Sequence, residues 1–177
     1  QITVRNTYFT TKEVMKEIKK CLASDYNLHI FINSINTIRS LAKEMGDSNF
    51  RTICSKEAEN KDVRSGGILK VSSINSPVCK INFYTATAFE GVDIYDPVGK
   101  TIIISDTHIS QTLVDISTLM IQICGRLRDS EYKDEVLFIC NTNSHRYMRY
   151  KEESEFMIDS DKLRDEAIIF EKDMNKS

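Results

Sequence analysis

Short, nearly continuous apolar runs alternate with stretches of helical periodicity, and that alternation restricts the fold more than any other feature of the chain. The clearest runs are "LHIFINS" (28–34), "KINFYTA" (80–86), "TIIIS" (101–105) and "EVLFIC" (135–140). A strand with one wet face alternates apolar and polar side chains, whereas a strand covered on both faces does not. These runs, with "FRTICS" (50–55), therefore read as strands of a sheet held between two helical layers. "QITVRNTYF" reads as a short extended segment ahead of them.

The stretches between the strands carry helical spacing. Thr11 reads as the N-cap of "KEVMKEIKKCLAS", with Val14, Ile18 and either Leu22 or Cys21 on its apolar face. "NTIRSLAKEM" puts Ile38, Leu41, Ala42 and Met45 on one face, and Gly46 stops it. Ser110 reads as the cap of a long helix, "QTLVDISTLMIQICGRLRD", whose apolar stripe is Leu113, Ile116, Met120, Ile123 and Leu127. Residues 56–80 read as a short helix and a loop, with "ILKVSS" as a possible extra strand. Strand–helix alternation over roughly Leu28 to Cys140 predicts a three-layer α/β/α domain with a mainly parallel sheet and right-handed crossovers. The domain is expected to span residues 1–142. Residues 143–177 are expected to form a helical extension, capped at Ser160 with Leu163, Ala167 and Ile168 at helical spacing.

Charge limits the function classes. The 24 Lys and Arg against 26 Asp and Glu leave a net charge of -2, so any site for a polyanion must be local. Cys21, Cys54, Cys79, Cys124 and Cys140 are odd in number and form no C-x-x-C; they read as reduced residues of a cytoplasmic protein. His29, His108 and His145 are scattered, so no metal site is expected. No apolar run approaches 18 residues, so no membrane partner is expected either. The first residue is Gln, which suggests a piece of a longer chain.

There is no G-x-x-x-x-G-K-[ST], no Asp-Glu pair after an apolar strand and no G-x-S-x-G. Two other segments carry chemistry. "TATAFEGVDI" (85–94) ends a strand with Thr85 and Thr87, turns through Gly91 and presents Asp93. Hydroxyls and free backbone N–H groups there can hold a phosphate, Gly91 permits positive φ, and Asp93 can accept a ribose hydroxyl. "QICGRLRD" (122–129) holds Gln122, Gly125, Arg126 and Arg128. Gln122 and Arg126, four apart, share a helical face, and guanidinium groups suit bidentate phosphate contact. Each segment also has a plain reading: a polar turn for the first, and for the second a helix end complementing its dipole by about 0.3–1 kcal/mol.

Together, in this order and around an apolar strand, the segments resemble the second RecA-like domain of superfamily 2 helicases. "HIFINS" looks like motif IV, "TATAFEGVDI" like motif V and "QICGRLRD" like motif VI, over about Leu28 to Cys140. The resemblance implies an ATP site shared with an absent first RecA-like domain of the same parent chain. That domain would hold the P-loop and Mg2+. Thr85, Thr87 and Ser34 would contact nucleic acid, DNA in preference to RNA. Gly91, Asp93 and Gly125 would shape the nucleotide side, and Gln122, Arg126 and Arg128 would serve catalysis, with an arginine finger at the γ-phosphate. The family's usual second arginine falls three residues after the first, where this chain has Asp129; Arg128 gives Gly-Arg-x-Arg instead. The parent would be an ATP-dependent helicase or translocase, whereas the 177-residue chain alone would be a monomer without hydrolytic activity. The alternative is a stand-alone doubly wound module that binds a nucleotide or a protein without catalysis.

Overall fold

The structure, a computed structural model, describes residues 1–89 and 91–141. The expected helical extension at 143–177 lies outside the described residues. The elements are β1 (Ile2–Asn6), α1 (Thr10–Leu22), β2 (Asn27–Phe31), α2 (Ile35–Met45), β3 (Phe50–Ile53), α3 (Lys56–Arg64), β4 (Ile81–Tyr84), β5 (Ile94–Tyr95), β6 (Gly99–Ser105), α4 (Leu119–Cys124), β7 (Leu127–Arg128) and β8 (Val136–Cys140). Six strands form one sheet in the order β1-β8-β6-β2-β4-β3, and every pair is parallel. Strands β5 and β7 form a separate parallel pair. The expected α/β class is therefore found, in an arrangement consistent with a RecA-like fold.

The apolar runs form strands because both faces of the sheet are covered. On one face Leu28, Ile30, Phe83, Ile102 and Ile104 pack with Val14, Ile18 and Cys21 of α1 and with Ile38, Leu41 and Ala42 of α2. On the other, Phe31, Tyr84, Ile103, Val136 and Phe138 pack with Met120 and Ile123 of α4. The chain crosses the sheet one way through β1, β2 and β3, with α1 and α2 on the first face. It returns through β4, β6 and β8 with α4 on the second. With right-handed crossovers, reversing direction swaps the face.

Local chemistry sets the helix ends. Helix α1 begins two residues earlier than the sequence suggested: Phe9 is the N-cap residue, without a side-chain cap, so Thr11 is not the cap. Thr10 is buried and its hydroxyl donates to Asp106 Oδ2 at 2.7 Å, which ties the helix start to the end of β6. Cys21 is buried and Leu22 exposed, which settles the choice between them. Ser34 caps α2 by accepting from Thr37 N at 3.3 Å. Gly46 ends it at φ 62, a conformation that favours glycine. "ILKVSS" shrinks to a one-residue bridge from Val71 to Thr52, closed by two backbone hydrogen bonds.

The largest departure is the long helix expected from Ser110. Residues 110–112 form a single 3-10 turn, and α helix occurs only at Leu119–Cys124. Thr112 is buried, and its hydroxyl accepts from Asp106 N at 2.9 Å and donates toward Ile109 O at 2.8 Å. The Asp115 carboxylate accepts from Ser117 N and Thr118 N, at 3.2 and 3.0 Å, and from both hydroxyls. Short polar side chains that bond their own backbone compete with helix, and here they win. Leu113 and Ile116 are consequently exposed instead of forming an apolar stripe.

Candidate functional site

The second departure joins the two motif segments. After Cys124 the chain leaves the helix, and Leu127 and Arg128 pair with Ile94 and Tyr95. Ile94 N donates to Arg126 O at 2.8 Å. "GVDI" and "GRLR" thus lie side by side as neighbouring strands. Gly91 has φ 71, the positive value expected for its turn.

The two arginines are used differently. Arg126 is half-buried; its Nε donates to Gln122 O at 2.9 Å and its Nη1 to Val92 O at 3.3 Å. Its guanidinium therefore braces one motif segment against the other. It meets the backbone carbonyl of Gln122, not the side chain that helical spacing suggested. Gln122 Oε1 is buried and has no hydrogen-bond partner. Arg128 is exposed, and its Nε donates to Asp93 Oδ1 at 3.0 Å, with the two side chains 52% and 45% exposed. An ion pair that open to water contributes at most about 1 kcal/mol. Arg128 is held lightly, through Nε alone. Asp129 follows at φ 53 and is exposed. Gly125 is not crowded, since an added Cβ would meet nothing closer than 3.6 Å.

These residues do not all lie at one end of the sheet. Residues 85–89 begin at the carboxyl end of β4, and residues 91–98 lead to the amino end of β6. Asp96 there bonds Asn27 and His29 at the start of β2, and Ser130 Oγ donates to Gly99 O at 2.6 Å. Asp93, Gly91, Gly125, Arg126 and Arg128 follow this path onto the second face. Thr85, Thr87 and Ser34 stay at the carboxyl ends. Thr85 is buried, with its hydroxyl on Ile53 O at 3.3 Å, and Ser34 is buried in its cap; only Thr87 is exposed.

At those carboxyl ends lies a cleft of about 470 Å³, lined by Asn33, Asn36, Arg39, Ser55, Lys61 and Gln111 among others. Asn33 ties its walls together: Oδ1 accepts from Ala86 N at 3.3 Å and Nδ2 donates to Gln111 O at 3.0 Å. This is the point where the crossovers change face, the usual place for a ligand in such sheets. None of these lining residues was singled out in the sequence. The only signal was polar residues placed directly after strands.

Beneath the motif pair runs a buried polar chain that the sequence did not announce. His29, Tyr84, Arg51, Asn82 and Asp96 are all nearly inaccessible. Asp96 Oδ2 lies 2.9 Å from His29 Nε2, and Tyr84 Oη lies 2.9 Å from Nδ1. Arg51 Nη2 donates to the Tyr84 oxygen at 3.3 Å. The directions are forced: Tyr84 donates to Nδ1, and Nε2–H donates to the carboxylate. Burial lowers the His29 pKa and so keeps the ring neutral. Burial alone would raise the Asp96 carboxyl, but hydrogen bonds from His29 and Asn27 outweigh it and leave the carboxyl below its ordinary value. The Tyr84 hydroxyl is pushed up to about 12 by burial and stays protonated.

No three metal-ligating side chains cluster among the described residues. No helix among them is long and apolar enough to cross a membrane. The fold and the paired segments define a parallel α/β domain with a two-arginine ribbon. Neither any protein-family model nor any curated protein matches the chain.

Proposed function

We propose that the chain is the second RecA-like domain of an ATP-dependent superfamily 2 helicase or translocase. It would complete an ATP site whose P-loop and Mg2+ belong to a first domain, in the cytoplasm, where free thiols persist. The observation that carries this reading is the Asp93–Arg128 contact at 3.0 Å, which unites two segments 35 residues apart. A polar turn and a helix end with unrelated tasks have no reason to pair as strands.

The geometry also supports a division of labour. Arg126, bonded to Gln122 O and Val92 O, keeps the ribbon in shape. Arg128, exposed and lightly held, is the residue that would exchange Asp93 for the γ-phosphate when the two domains close on ATP. Phosphate contact by a guanidinium is bidentate and charge-assisted, so it outcompetes one solvent-exposed carboxylate. The separate cleft at the carboxyl ends, lined by Asn33 and Lys61, with exposed Thr87 next in sequence to the Ala86 that Asn33 holds, would carry the nucleic-acid backbone, preferentially DNA. Alternate closure and opening would then convert hydrolysis into stepping.

The test is nucleic-acid-stimulated ATP hydrolysis by the full-length protein carrying Arg128→Ala. A finger arginine contributes on the order of 10³-fold or more to turnover, so the variant should be nearly inactive while its melting temperature is unchanged. Turnover at the wild-type rate would overturn the assignment.

A further inference from the structure

A cavity of about 320 Å³ opens beside the arginine ribbon, lined by Arg51, Ile74, Pro77, Val78, Asp93 and Tyr95 among others. Its unusual feature is Arg51, which is 2% exposed. Its Nε donates to Asn82 Oδ1 at 2.7 Å, its Nη1 to Ser76 O and its Nη2 to the Tyr84 hydroxyl at 3.3 Å. All three acceptors are neutral, and no carboxylate lies within ion-pair distance among the described residues. The Asp96 carboxylate is reached only through Tyr84 and His29. A guanidinium has five N–H donors, so two remain unengaged on a desolvated cation. Leaving such donors unanswered is costly, and the group lines a cavity.

The opposite wall is equally specific. Tyr95 is 65% exposed. It lies two residues from Asp93 and directly opposite Arg128 in the strand register. Asp93 gives only Oδ1 to Arg128. Its Oδ2 makes no bond among the described residues.

Different ligands use these groups differently. A small anion would suit Arg51, but Asp93 would repel it and the apolar wall of Ile74, Pro77 and Val78 would lie idle. An alkyl chain would leave Arg51 unanswered. A nucleoside satisfies every wall. Its ring stacks on Tyr95 and the apolar side chains, its ring nitrogens or carbonyls accept from Arg51, and a ribose hydroxyl donates to Asp93. We propose that this cavity is a nucleoside subsite, which holds the base and ribose of the nucleotide whose phosphates reach Arg128. The proposal rests on the nucleotide reading of the Asp93–Arg128 ribbon.

The test is NMR titration of the full 177-residue chain, labelled at its tyrosine rings, with ATP and with inorganic tripolyphosphate. Stacking of one base contributes about 1–3 kcal/mol, so ATP should bind on the order of tenfold more tightly than tripolyphosphate and shift the Tyr95 ring. Tyr95→Ala should bring ATP down to the tripolyphosphate value without changing the latter, and because Tyr95 is exposed the fold should persist. If ATP gains nothing over tripolyphosphate and the Tyr95 ring stays silent, the subsite is refuted and the nucleotide reading survives. If Arg128→Ala leaves tripolyphosphate affinity intact, both fall.

Discussion

Replacing Gly99 with Ala tests how rigidly the buried chain holds the motif ribbon. An added Cβ would lie 2.7 Å from His29 Nε2, 2.8 Å from His29 Cδ2 and 3.0 Å from Leu127 Cδ1. Ordinary carbon contacts are about 3.5–4.0 Å, so roughly 1 Å of room is missing. His29 cannot yield easily. It is fully buried, and both ring nitrogens are fixed at 2.9 Å, by Tyr84 and by Asp96. Two escapes exist. Sliding the ring breaks the bond to the Asp96 carboxylate, a loss of about 1.5–3 kcal/mol for a hydrogen bond to a charged group. Moving the start of β6 instead costs about 1–3 kcal/mol as overpacking. One escape suffices, so the expected destabilisation is about 2–3 kcal/mol and not the sum. For a domain of this size that lowers the melting temperature by roughly 5–10 °C, read by circular dichroism. Gly125→Ala is the control: its nearest neighbour would be 3.6 Å away and φ is -84, so it should melt within about 2 °C of the parent. A Gly99→Ala chain that also melts within about 2 °C would refute the picture of a locked His29.

Two further outcomes follow from the same geometry. Burial lowers the His29 pKa, and hydrogen bonding leaves that of Asp96 low, so in both cases the unfolded chain binds more protons at acid pH. Their stabilisation is therefore complete above about pH 6.5, falls as His29 is forced to charge below that, and falls again below about pH 3.9 as Asp96 protonates. Urea midpoints from pH 8 to pH 4 should decline on acidification, and a rise would contradict the assignment of a neutral ring. Ser34→Ala should cost about 1 kcal/mol of stability through loss of the α2 cap. If unfolding is unaffected and nucleic-acid affinity falls instead, the hydroxyl has a ligand and not a cap as its main partner.

The sheet was legible because burial on both faces removes polar residues from a strand, so "HIFIN" and "TIIIS" could hardly be anything else. Helices α1 and α2 were legible because Val14, Ile18, Ile38 and Leu41 repeat at the period of a helix and bury that face. The segment from Ser110 was misread because Leu113, Ile116, Met120 and Ile123 keep the same period. Periodicity is blind to the Asp115 carboxylate that collects the N–H groups of Ser117 and Thr118. Pairing between β5 and β7 was hidden for another reason. Two-residue strands carry no alternation to read, and their register is fixed by partners far away in sequence. The buried chain was hidden too. His29 sits inside an apolar run, Arg51 inside "FRTICS" and Asp96 in a polar turn, and nothing local indicates that three strands and a turn bring them together.

Residues 85–89 and 91–98 touch the two candidate surfaces and limit what can change between them. At the top, Ala86 N is held by Asn33, and Thr85 bonds Ile53 O through both N and Oγ1. At the bottom, Asp96 is fixed to His29 and Asn27 in a buried setting. Gly91 lies between these anchors with open space around it. Within that interval Ala88, Phe89 and Ile94 are buried in the core and Val92 O is held by Arg126, so the segment is fixed well beyond its two ends. That interval contains Asp93 and faces Arg128. If a phosphate were to draw Arg128 away, as proposed, the exposed Asp93 carboxylate would lose its ion-pair partner while the buried residues on either side of it, Phe89 and Ile94, keep their places in the core. The exchange of that one exposed ion pair would then be a local event at the ribbon, because Thr85 and Asp96 at the two ends of the segment stay fixed in buried hydrogen bonds.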